Sequence, residues 1–119
     1  MSRPTDIIAT CHCGALRVGV RADLSDAMRC DCSICRRTGA LWTSDTFGPE
    51  AVTVEDPGGL LRRYRFGTGV AMHHFCGRCG IHTHVSTRLD PGRFRVNLAC
   101  VDALDLGSIA VETYDGRAL

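Results

Sequence analysis

Ile7-Ile8-Ala9-Thr10-Cys11-His12-Cys13-Gly14-Ala15-Leu16-Arg17-Val18-Gly19-Val20 reads as a hairpin folded about two cysteines. Residues 7–10 and 15–20 are its arms. Leu16, Val18 and Val20 alternate with Arg17, Gly19 and Arg21, the period of a strand with one buried face. Cys11 and Cys13 sit at the neck, where they can offer two thiolates to one metal ion. Working outward, short runs with β-branched residues recur at 40–47, 51–55, 60–66, 70–75, 81–86 and 94–99. Asp56-Pro57-Gly58-Gly59 and Asp90-Pro91-Gly92 are turn signals between such runs. The one expected helical turn covers residues 33–38. Many short strands and so little helix predict a mainly β fold of antiparallel sheets.

The chain has 8 cysteines, and all but Cys100 fall in three clusters: Cys11 with Cys13, Cys30 with Cys32 and Cys35, and Cys76 with Cys79. A tetrahedral zinc takes four thiolates and closes its shell. Three remain, and three ligands on a second zinc leave a position for a small molecule. Cys76-Gly77-Arg78-Cys79-Gly80 is the most specific piece, because its two thiolates can reach one ion while the backbone turns beneath them. Gly77 and Gly80 let backbone amides approach the sulfurs. A CxxC can equally be a redox pair, but a second cysteine pair is available and no thioredoxin-like βαβ pattern surrounds this one. Pairing Cys11 and Cys13 with Cys76 and Cys79 ties the first hairpin to a distant strand. Spacing alone also allows Cys11 and Cys13 to pair with two members of the triplet.

Cys30, Cys32 and Cys35 can place three sulfurs around one ion. His73, His74, His12 or Cys100 would close that site; without them its fourth position is exchangeable. Three thiolates make the metal soft, so it favours a thiol over water. The bound thiol loses its proton and becomes a nucleophile near neutral pH.

At 119 residues, with 45% hydrophobic and 23% charged, the chain reads as a single domain spanning residues 1–119. No apolar run approaches the roughly 20 residues needed to cross a bilayer, so no membrane partner is expected. The opening Met1-Ser2-Arg3-Pro4-Thr5-Asp6 lacks an apolar signal core, which predicts a cytoplasmic protein. In a reducing compartment, closely spaced cysteines favour metal over disulfides. All 14 basic residues are arginine, which excludes Schiff-base chemistry through lysine. The formal charge of +1 becomes about −2 once seven thiolates and two Zn²⁺ are counted. A nucleic-acid partner is therefore not indicated.

Other residues have plainer readings. Arg36 and Arg37 follow the triplet, where a guanidinium can hold a substrate carboxylate or simply face solvent. His82 and His84 share a strand face without making a third metal site. One side chain of the His73-His74 pair can donate a hydrogen bond to a metal-bound sulfur. Trp42 and Phe47 read as core, and Cys100 as a buried free thiol. Gly67-Thr68-Gly69 lacks the third glycine and following helix of a dinucleotide fingerprint.

Taken together, the boxes resemble the glutathione-dependent formaldehyde-activating enzyme family, to which centromere protein V also belongs. Cys11-His12-Cys13-Gly14-Ala15-Leu16-Arg17 looks like its first box. Cys30-Asp31-Cys32-Ser33-Ile34-Cys35-Arg36-Arg37-Thr38-Gly39-Ala40 looks like the second, and His74-Phe75-Cys76-Gly77-Arg78-Cys79-Gly80-Ile81 like the third. Val96-Asn97-Leu98-Ala99-Cys100 and Tyr114-Asp115-Gly116-Arg117 resemble the tail of one bacterial branch. The resemblance implies packed antiparallel sheets of the β-tent type, shared with a small Rab-binding chaperone, with zinc knuckles and little helix. It implies a structural zinc on Cys11, Cys13, Cys76 and Cys79, and a catalytic-type zinc on Cys30, Cys32 and Cys35. It further implies S-(hydroxymethyl)glutathione synthase chemistry, a carbon–sulfur lyase reaction joining a thiol such as glutathione to formaldehyde or another small aldehyde. Arg36 or Arg37 would then steer the anionic tripeptide. The alternative is a zinc-stapled binding module without catalytic activity.

Overall fold

The computed structural model describes residues 5–22, 25–88 and 90–116. Residues 1–4 of the opening and Arg117 of the tail motif lie outside the described residues.

The N-terminal hairpin forms as its alternation dictates. Strands β1 (Thr5–Thr10) and β2 (Arg17–Ala22) pair antiparallel, Thr10 opposite Arg17, and β5 (Thr53–Glu55) adds to β2. Ile7, Ala9, Val18 and Val20 point into a core shared with Leu41, Val96 and Leu98. Ile8, on the opposite face, is 48% exposed. Burying one such aliphatic side chain contributes roughly 1.5–3 kcal/mol, so this face fixes the register.

A second sheet contains β3 (Asp26–Cys30), the two-residue β4 (Trp42–Thr43) and β10 (Ala110–Tyr114), in the order β10-β3-β4. A four-residue helix, α1 (Cys35–Thr38), sits between β3 and β4. The third sheet is a meander of β6 (Leu61–Tyr64), β7 (Met72–Cys76), β8 (His82–Ser86) and β9 (Phe94–Val96). Antiparallel pairing dominates, as expected, with one exception: β10 runs parallel to β3, Tyr114 opposite Cys30. Residues 26–30 and 110–114 show no strand alternation clear enough to read from sequence. Their pairing is non-local, which a parallel pair requires.

Several expected strands are shorter than their sequence runs, two of them for a shared reason. Of residues 40–47 only Trp42 and Thr43 form a strand, and residues 98–100 tighten into a 3-10 turn. Asn97 explains both. Its buried amide oxygen accepts from Leu41 N at 3.1 Å and Ala99 N at 3.1 Å, and its amide nitrogen donates to His82 O at 2.8 Å. One side chain thus joins β4 to the meander and caps the turn that ends β9. Arg95 makes a second joint, Nη1 donating to Thr43 O at 2.7 Å and to Ser44 O at 2.6 Å. Among the described residues, no helix is long and apolar enough to cross a membrane.

Candidate metal centre

Two chain reversals of matching design bring four cysteines together. In the first, Cys11 N donates to Leu16 O at 3.2 Å and Gly14 N to Cys11 O at 3.1 Å. In the second, Cys76 N donates to Ile81 O at 3.1 Å and Gly80 N to Cys76 O at 2.8 Å. Gly14 and Gly80 occupy the left-handed region at φ 83° and 78°, where an L side chain is strained, so each cysteine pair ends in glycine. Backbone amides then point at sulfur: Leu16 N lies 3.3 Å from Cys11 Sγ and Arg78 N lies 3.4 Å from Cys76 Sγ.

The Sγ atoms of Cys11, Cys13, Cys76 and Cys79 all lie within 4.8 Å of one another. The Cys11–Cys13 and Cys13–Cys76 separations are both 3.6 Å. Metal–sulfur bonds of 2.3 Å at tetrahedral angles require about 3.8 Å between sulfurs, so the cluster fits a four-thiolate zinc. The N–H of Cys79, followed by that of Arg78, holds the Cys76 thiol below its usual range, with burial opposing. Burial likewise opposes at Cys79, yet N–H groups of Cys13 and Ile81 hold that thiol at about 6. These are groups that stabilise thiolate, the form that binds metal. The partition left open by spacing is thereby decided geometrically, because the two outer pairs converge.

The triplet forms a separate cluster. Cys30 ends β3, Cys32 follows in the loop and Cys35 opens α1. Their sulfurs also lie within 4.8 Å of one another. Cys35 N donates to Cys32 Sγ at 3.4 Å. Burial raises the thiols of Cys30 and Cys35. At Cys32 burial is the largest single influence, but hydrogen bonds from the Cys35 N–H, the Cys35 and Cys30 side chains and the Ile34 N–H together outweigh it, and the thiol is lowered. Trp42 is 1% exposed, its indole N–H has no partner within hydrogen-bond distance, and it acts to favour the Cys35 thiolate. Gly116, at the end of β10, closes the back of the cluster; a Cβ there would stand 2.5 Å from Cys30 Sγ.

Among the described residues, no fourth Cys, His, Asp or Glu ligand atom joins the triplet. The four residues considered as closing ligands lie elsewhere or make other contacts. His12 is exposed on the first reversal. Cys100 is buried and donates to His82 O at 3.4 Å. His74 stacks on His84, ring centroids 4.1 Å apart and planes 2° from parallel. His73 shares a cavity with the triplet but does not enter its ligand cluster. That cavity measures about 480 Å³, and all three cysteines line it.

Arg36 and Arg37 are exposed on α1 and do not line the cavity; Arg37 donates to Ser33 O at 2.7 Å. Arg88 and Arg95 line it instead. Trp42 is core, as expected, and also forms cavity wall; Phe47 packs against the main core. The roles of Arg95 and Gly116 depend on which strands become neighbours, so no local sequence signal marks them.

The four histidines of β7 and β8 form a neutral layer, with His73, His74 and His84 buried and His82 half-buried. Burial, then the neighbouring His74 and Arg63, lowers His84 to about 3, and its Nδ1 lies 2.8 Å from the Thr83 hydroxyl. An unfolded histidine titrates near 6.5, so below that pH the unfolded chain binds the extra proton first. The contribution of neutral His84 is therefore complete above pH 6.5 and lost as the pH falls towards 3. Denaturant unfolding at saturating metal is expected to show stability falling from pH 7 to 5, with a shallower slope in His84→Gln. An equal slope in the two proteins would contradict the assignment.

Comparison with known proteins agrees with this geometry. A family model described as "Glutathione-dependent formaldehyde-activating enzyme" matches residues 6–115. The fold is similar to the crystal structure of a Rhodobacter sphaeroides protein determined as a structural-genomics target, at 38% identity and a TM-score of 0.77. The alignment covers 89% of this chain and 100% of that one. With the match spanning all three cysteine clusters, the chain belongs to the glutathione-dependent formaldehyde-activating enzyme family.

Proposed function

We propose that the protein is a zinc enzyme joining a thiol, of which glutathione is the family's example, to formaldehyde or a similarly small aldehyde. The observation that supports this reading most is the cavity beside the triplet: three sulfurs face open volume and no fourth protein ligand joins them. Cys11, Cys13, Cys76 and Cys79 would hold a structural zinc, and Cys30, Cys32 and Cys35 a second one. When bound, that second zinc supplies the positive charge that keeps a thiol deprotonated near neutral pH. The protein's residues do the rest. The three cysteine sulfurs fix the ion at the cavity wall. The Cys35 N–H and the Trp42 indole stabilise negative charge on that sulfur cluster. Trp42 and Val85 supply apolar wall in the cavity that the sulfurs face. The thiolate sulfur then forms a bond to the aldehyde carbon, the carbonyl π pair moves to oxygen, and the oxygen takes up the proton the thiol released. The product is a hydroxymethyl thioether, with all atoms of both substrates retained and no nucleophile required from the protein.

Cobalt substitution tests the reading. Two metals per chain are expected, with glutathione altering the absorption of one site only. Two metals that both ignore thiols would leave a stapled binding module instead.

A further inference from the structure

Arg95 lies on β9, half-buried, in the wall of the same cavity. Both Nη1 hydrogens are taken up by the carbonyls of Thr43 and Ser44, at 2.7 and 2.6 Å. The guanidinium is thereby locked in one orientation. Its Nε and Nη2 edge has no hydrogen-bond partner among the described residues, and none of their carboxylates lies within 4 Å of it. The two acidic residues of the cavity wall do not neutralise it at close range. Asp90 instead pairs with Arg93 at 3.3 Å and accepts the Thr46 hydroxyl at 3.2 Å. Asp45 acts on Arg95 only at longer range.

A guanidinium cannot shed its proton, and partial burial without a partner is costly. The effect is visible in burial lowering its proton affinity, while Asp45, Asp90 and Cys30 oppose. Arg95 and the sulfurs of Cys30, Cys32 and Cys35 line one and the same cavity. A planar edge with free N–H groups matches a carboxylate in bidentate fashion. Met28, Trp42 and Val85 supply apolar wall to the cavity that Arg95 and the three cysteines share.

We propose that Arg95 is the specificity-determining residue of the cavity, binding the carboxylate of a thiol whose sulfur is held at the Cys30, Cys32 and Cys35 site. The substrate class is a carboxylate-bearing thiol. This rests on the thiol-binding reading above, but it assigns recognition to Arg95 and not to the exposed Arg36 and Arg37.

The probes are 3-mercaptopropionate and 3-mercaptopropionamide, which share sulfur and spacer and differ in charge. Each is titrated into the full cobalt-substituted protein while the charge-transfer absorption is followed. The intact protein is expected to bind the carboxylate thiol about tenfold more tightly than the amide, the scale of a charge-assisted pair. Arg95→Gln is expected to erase that ratio with little change for the amide, and the double variant Arg36→Gln/Arg37→Gln to preserve it. If loss of the two carbonyl bonds unfolds Arg95→Gln, Arg95→Lys replaces it and is expected to lower the ratio severalfold. Equal binding of both thiols by the intact protein overturns the anchor alone, since thiol binding would remain. So does a ratio unchanged in the Arg95 variant, or one lost only in the double variant. Silence towards both thiols removes the thiol-binding reading and the anchor with it.

Discussion

Replacing Cys79 with serine is expected to unfold the protein, whereas Cys32→Ser leaves it folded with an impaired second site. Cys79 belongs to the four-sulfur cluster that joins the first hairpin to the β7–β8 reversal, and among the described residues no strand of the first sheet pairs with a strand of the meander. It is also part of a small apolar cluster around Leu16, which is 0% exposed. Structural zinc contributes roughly 10–16 kcal/mol in small peptides, against net stabilities of about 5–15 kcal/mol for whole proteins. Losing half of the zinc contribution would remove about 5–8 kcal/mol, enough to bring a margin in the lower part of that range to zero. Cys32, by contrast, is half-buried beside a cavity, and its ligand set comes from one short segment. Thermal unfolding and metal content of both variants provide the check. Equal loss of fold in the two would contradict this division of labour.

Gly116→Ala is expected to weaken metal binding at the triplet by about ten- to a hundredfold, the usual cost of disturbing groups packed against metal ligands, while leaving the four-sulfur site intact. The added methyl would stand 2.5 Å from Cys30 Sγ, 3.1 Å from Cys32 Cβ and 3.2 Å from Cys32 N. It cannot swing away freely, because Asp31 N donates to Tyr114 O at 3.0 Å and β10 runs along β3. Either Cys30 moves off its position or the last strand shifts. A competition titration of cobalt against a chelator reads the affinity directly. Unchanged affinity at the triplet would mean the backbone absorbs the methyl elsewhere.

What was legible in the sequence is what is encoded locally. Alternation marked β1, β2, β7 and β8, and glycine after Cys13 and Cys79 marked the two reversals. Cysteine spacing marked the three short groups, because ligands of one short segment must lie near one another, but not which groups share a cluster; the fold brings Cys11 and Cys13 to Cys76 and Cys79. What could not be read depends on distant partners. β10 is exposed along its whole length, so no buried face imprints a period on residues 110–114. It is a strand because β3 offers it hydrogen bonds. Arg95 belongs to a run read correctly as strand-like, but its orientation is set by carbonyls of Thr43 and Ser44, from another sheet. Arg36 and Arg37 drew notice through adjacency to the triplet, and α1 presents them to solvent.

The two reversals at Cys11–Cys13 and Cys76–Cys79 lie far apart in the chain, 63 positions separating Cys13 from Cys76, and the Cys13 N–H reaches across to the Cys79 sulfur. An ion between them can depart only when both grips release together. Its residence time should therefore track global opening of the chain, with lifetimes lengthening as the fold is stabilised. The triplet faces a cavity, and an ion held there would leave by local motion. A molecule loaded at both clusters would then exchange one metal slowly and the other rapidly.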